Sequence, residues 1–81
     1  MDSNIDNNVE LLIAAGRALY GDRWQTDLAA ALGISDARRV REWLSGARRI
    51  PPGIWSDIIL LIDNRFSVMS EVREKIVLQG S

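Results

Sequence analysis

Residues 24–44 read WQTDLAAALGISDARRVREWL, from Trp24 to Leu44. The apolar spacing predicts two short helices joined by a tight turn. The first covers Gln25 to Leu32, where Leu28, Ala29 and Leu32 fall at i, i+1 and i+4 and make one apolar face. Gly33 follows directly, at the point where glycine most easily supplies a positive φ. Ile34 is expected as a buried plug in the turn. Ser35 or Asp36 then offers a side-chain oxygen to cap a second helix, from about Asp36 to Leu44. In that helix Val40, Trp43 and Leu44 share a face. The opposite face carries Arg38, Arg41 and Glu42, with Arg39 and Ser45 at its edges.

Two helices around a short Gly-containing turn, the second bearing an arginine face, form the pattern of a DNA-binding helix-turn-helix. Gln25, Leu28-Ala29, Leu32-Gly33-Ile34-Ser35, Val40, Trp43 and Ser45-Gly46 carry a more specific likeness. The stretch resembles the phage-repressor type, the lambda repressor/Cro-like (Xre-type) regulators. Arg49-Ile50-Pro51 and Gly53-Ile54-Trp55 resemble a subset of small bacterial and phage members, so the likeness runs from Leu19 to Leu61, about half the chain. One departure stands out. Most such domains place the apolar residue of the second helix six positions after the turn glycine, where this chain has Arg39. Val40 arrives one residue late, so the additional residue belongs either to the turn or to the first turn of the helix. One residue corresponds to about 100° of helix rotation.

The 81 residues suffice for a single domain with one core, residues 1–81. A domain this small buries only roughly 60% of its unfolded surface, so a partner subunit would add stability. With neither cysteine nor histidine, disulfides, thiolate chemistry, the commonest metal ligand and the commonest general base are all missing. No catalytic pair, metal cluster or cofactor loop is expected, and the chain is not read as an enzyme. No apolar run approaches the ~20 residues of a membrane helix and no signal peptide is evident, so a cytoplasmic protein is expected. The formal charge of −1 is not that of an obviously basic nucleic-acid binder. Its distribution is more telling. Five arginines (Arg38, Arg39, Arg41, Arg48 and Arg49) crowd residues 36–49 against Asp36 and Glu42 alone. Arginine's planar fork suits phosphates and guanine edges, although such a cluster can also be only a solvated face.

Around this centre, residues 1–6 are polar and expected to fray. Asn7 and Glu10 have capping-box spacing. Val9, Leu12, Ile13, Gly16, Leu19 and Tyr20 then recur at helical spacing, predicting a helix from about Asn8 to Tyr20. Gly16 on its apolar face points to close helix packing. Trp24 is read as core or as a hydrophobic staple, and Trp43 as core. Ser45-Gly46 closes the second motif helix, and Pro51-Pro52 opens the next. That helix, about Gly53 to Asp63, is apolar over much more than one face and should be buried on several sides, partly by another subunit. Phe66, Met69, Val72, Ile76 and Val77 continue its stripe. The spacing allows one long bent helix; two helices joined near Asn64 to Ser67 is the preferred reading.

The expected fold is therefore all-α, four to five short helices around one core, with a lambda-repressor-like helix-turn-helix at about 25–45. The resemblance implies a sequence-specific double-stranded DNA-binding regulator, a repressor of a phage or mobile element that binds an inverted-repeat operator. Arg38, Arg39, Arg41 and Glu42 are the candidates for base edges, with Glu42 either accepting from a cytosine amino group or pairing with Arg38. Gln25, Thr26, Ser35, Asp36, Ser45, Arg48 and Arg49 are the candidates for the phosphate backbone. Gln25 and Thr26 serve there either as a helix cap or as phosphate ligands at a helix N-terminus. A homodimer is expected, with the helical region at about 53–79 either completing the core or forming the interface. The competing reading is a protein-binding module, such as an antitoxin that covers a toxin.

Overall fold

The computed structural model describes residues 8–80, and all regular secondary structure among them is helical. Four helices follow one another: α1 (Val9–Tyr20), α2 (Trp24–Ala31), α3 (Arg38–Ser45) and α4 (Gly53–Gly80). α1 packs on α2 and α4, and α2 packs on α3. Their shared core is Leu12, Leu19, Trp24, Leu28, Ala29, Val40, Trp43, Ile50 and Ile58. Trp24 and Trp43, at 2% and 1% exposure, are core residues as read.

Local chemistry explains each boundary. Asn8 caps α1, its Oδ1 accepting from Leu11 N at 3.0 Å. The capping box read on Asn7 and Glu10 begins outside the described residues. α2 ends in a Schellman motif: Gly33 N–H donates to Ala30 O at 3.1 Å and Ile34 N–H to Ala29 O at 2.8 Å. Gly33 has φ 79°, a conformation that costs other residues a Cβ clash, which is why glycine stands here. Ile34 is half-buried against the core rather than fully buried, because it supplies the apolar contact that closes this motif from the rim. The cap position of α3 falls on Ala37, which makes no side-chain cap; Asp36, one residue earlier, closes the turn instead, its Oδ1 accepting from Arg38 N at 2.8 Å. α3 itself starts only at Arg38, two residues before Val40.

Two expectations are corrected. The segment after Pro52 is one uninterrupted helix of 28 residues, with no break near Asn64 to Ser67. Asn64 and Ser67 cost only about half a kcal/mol each in a helix interior, and no Gly or Pro occurs between Gly53 and Gly80. The architecture thus has four helices, and the last is not short. Nor is α4 buried on several sides. Ile58 is its one fully buried residue, Ile54, Trp55, Leu61 and Ile62 are half-buried, and Ile59 and Leu60 are exposed. From Asp63 onward every described residue is exposed, and α4 projects beyond the core as a rod. No helix among the described residues is long and apolar enough to cross a membrane.

Candidate nucleic-acid interface

α3 owes its placement to Val40 and Trp43, which are buried, and to half-buried Leu44. Counting 100° per residue from these, Arg38 and Glu42 lie opposite the core, with Arg39 and Arg41 on the two flanks. The three arginines are fully on the surface, and Glu42 is half-buried. The two flanks open into different clefts. Arg38 and Arg39 line one with Ser35, Asp36, Glu42 and Arg48, at the front of α3. Arg41 lines another with Asp22, Arg23, Gln25 and Thr26, at the N-terminus of α2. The first turn of α2 has no side-chain cap, and Gln25 and Thr26 of that turn line the cleft.

The loop after α3 is held at both ends. Ser45 Oγ donates to Glu42 O at 3.2 Å and accepts from Ala47 N at 3.3 Å. Arg48 N–H donates to Glu42 O at 3.1 Å, and its Nε pairs with Glu42 Oε1 at 2.9 Å. Ile50 then inserts fully into the core. Arg48 and Arg49 are therefore displayed by a fixed loop rather than a loose one. Glu42 reaches forward to Arg48, not back to Arg38. The backbone bond from Arg48 folds the loop over the end of α3 and brings that guanidinium to the carboxylate.

The sequence-predicted residues thus separate into three groups. Arg38, Arg39, Ser35, Asp36, Glu42 and Arg48 meet at the front of α3, Arg41 meets Gln25 and Thr26, and Ser45 serves the loop that carries exposed Arg49, which joins neither cleft. Arg23 joins the second group unforeseen. The only signal was its place next to Trp24, whose burial fixes where α2 begins. No group of His, Cys, Asp or Glu that could hold a metal ion occurs among the described residues. The chain matches no family model, no curated protein and no solved structure.

Proposed function

We propose that the chain is a sequence-specific double-stranded DNA-binding regulator of the lambda repressor/Cro-like helix-turn-helix type, with α3 as its recognition helix. One observation carries this reading. The arginine-rich outer face of a short, well-anchored helix is flanked on one side by a cationic loop and on the other by an open helix N-terminus. The N-terminal end of a recognition helix enters the major groove, which assigns Arg38 and Arg39 to base edges. Arg48 and Arg49 anchor the backbone on one flank, and Arg41, Gln25 and Thr26 on the other. Arg41 thereby moves from reading to anchoring. Ser35 and Asp36 border the groove-facing end, Asp36 holding the turn through Arg38 N.

A module of this size buries only roughly 600–1,000 Å² on DNA. It acts as a homodimer on an inverted repeat, with recognition helices one turn apart, about 34 Å. Repression follows by steric exclusion of polymerase from an overlapping promoter, as in a phage or mobile-element regulator. The test is fluorescence anisotropy with the DNA upstream of the chain's own gene, at two salt concentrations, against scrambled DNA. Tight binding that survives competition is expected, with log affinity falling against log salt by about 0.9 per phosphate contact. Equal, weak binding to both DNAs would refute the reading.

Glu42 provides a further prediction. Glu42→Gln removes a negative charge from the groove-facing side and releases Arg48 from a partly exposed pair. Such a pair contributes roughly 0–1 kcal/mol, so the fold should hold. Affinity for operator and scrambled DNA should both rise several-fold, with a steeper salt slope. A selective loss on the operator would instead make Glu42 a cytosine reader.

The second reading, a protein-binding module such as an antitoxin, is favoured by the apolar residues exposed along α4, among them Phe66, Met69 and Ile76. A toxin-sized partner recovered in stoichiometric amount, with no preference for operator DNA, would establish it.

A further inference from the structure

The core-facing stripe of α4 does not end where the core ends. Ile58, Ile62, Arg65, Met69, Val72 and Ile76 alternate at spacings of four and three, the seam of a coiled coil. The chain's own α1 covers this seam only as far as Arg65. There the guanidinium of Arg65 donates to Leu19 O, at the end of α1, and stacks on the Tyr20 ring at 5.3 Å. Beyond that point Met69, Val72 and Ile76 are 66%, 50% and 64% exposed. An apolar notch of about 190 Å³ lies at the junction, lined by Ala18, Leu19, Ile62, Arg65, Phe66 and Met69.

The geometry points to a second copy of this chain as the occupant, paired antiparallel through the projecting half of α4. Parallel pairing is sterically closed. α1 lies on the seam face itself, and two copies side by side would bring both α1 bodies to one level on helices only 8–10 Å apart. It would also set Arg65 against its own copy at a seam position. Antiparallel pairing avoids both conflicts, because each body then faces the partner's free end. The seam register that seats the partner helix at the notch sets Met69 against Val72 of the partner subunit. It also seats Ile76 of the partner subunit beside Arg65, in the notch, and brings Arg73 of the partner subunit alongside Phe66. Covering Phe66, Val68, Met69, Val72 and Ile76 on both copies removes on the order of 1,000 Å², the size a specific interface requires. Residues 1–7 contain only Met1 and Ile5 as large apolar residues and cannot supply an equivalent strip.

The inference specifies the interface of the dimer proposed above and can be tested apart from DNA binding. The chain has no cysteine, so introduced thiols report cleanly. A mixture of full-length Met69→Cys and Val72→Cys chains, distinguished by tag size, should form a disulfide heterodimer on mild oxidation. Ile76→Cys alone should not cross-link, since its two copies would be about 16 Å apart and a disulfide needs Cα atoms within about 7 Å. Ile76→Asp, an exposed change with unaltered helical circular dichroism, should convert the sedimenting species from dimer to monomer. Efficient Ile76→Cys self-cross-linking, or a wild-type monomer at tens of micromolar, overturns the inference even if the operator is bound. Antiparallel cross-linking without operator preference upholds it and removes the DNA-binding reading alone.

Discussion

The double variant Arg38→Ala, Arg39→Ala is expected to lose its preference for operator over scrambled DNA while still binding both weakly. Each bidentate contact to a base edge discriminates by about 1–3 kcal/mol, so removing two should cost from about 30-fold to about 20,000-fold in specificity. Phosphate contacts behave differently, because they carry no sequence information. Arg48→Ala, Arg49→Ala and Arg41→Ala should each weaken every DNA alike and lower the salt slope by about one contact's worth. The separation of the clefts grounds this division for Arg41, whereas Arg48 shares the Arg38 and Arg39 cleft and is set apart by its loop and its pair with Glu42. Arg38 and Arg39 share the front of α3, whereas Arg41 opens toward Gln25 and Thr26 on α2. Neither Arg38 nor Arg39 touches the core, so the double variant should melt with the wild type. Competition anisotropy on matched operator and scrambled duplexes decides the matter. An Arg41→Ala variant that loses discrimination while the Arg38, Arg39 double variant keeps it would invert the assignment.

How much of this was legible in the sequence depended on how local the cause was. α2 and α3 could be read to within about two residues because Leu28, Ala29, Val40 and Trp43 repeat at helical spacing. Gly33 then closes α2 through hydrogen bonds that span only five residues. The continuity of α4 was misjudged because Asp63-Asn64-Arg65 has the polarity of a loop. Arg65 is polar there for a tertiary reason: its guanidinium serves Leu19 O, 46 residues away. The stripe through Ile62, Met69 and Val72 was the sounder signal, since it keeps phase across that polar run. In the candidate interface, helical spacing put Arg38, Arg41 and Glu42 together on the surface. It could not say that the two arginines open into different clefts, because that depends on where α2 packs. Glu42 illustrates the same limit. Its i−4 neighbour Arg38 was the local choice, yet the loop that Ile50 pins into the core delivers Arg48 instead.

Gly16→Ala is expected to destabilise the domain strongly, although alanine is the better helix former. A Cβ at Gly16 would lie 2.1 Å from Trp24 Cε3, 2.3 Å from Cδ2 and 2.8 Å from Cζ3. These are atoms of a rigid ring that is itself 2% exposed, so no flexible tip can move aside. Propensity favours alanine by about 1 kcal/mol. Overpacking a close-packed site costs about 1–3 kcal/mol and sometimes more, and a contact this short belongs at or beyond the upper end. The net loss should be about 2 kcal/mol, which for a domain of this size lowers Tm by about 10 °C. Two comparisons separate the clash from any general effect of the substitution. Gly53→Ala, where an added Cβ meets nothing within 4 Å, should leave Tm nearly unchanged. Trp24→Leu should be damaging alone yet much less so in the Gly16→Ala background, a coupling that a double-mutant cycle measures directly. The consequence reaches the proposed DNA face, since Trp24 is the first residue of α2, beside Gln25 and Thr26. Pushing its ring away from α1 tilts the helix that α3 packs on. Operator affinity in Gly16→Ala should therefore fall even at temperatures where the chain remains folded. A variant with unchanged Tm would mean that α1 and α2 stand further apart than this packing requires.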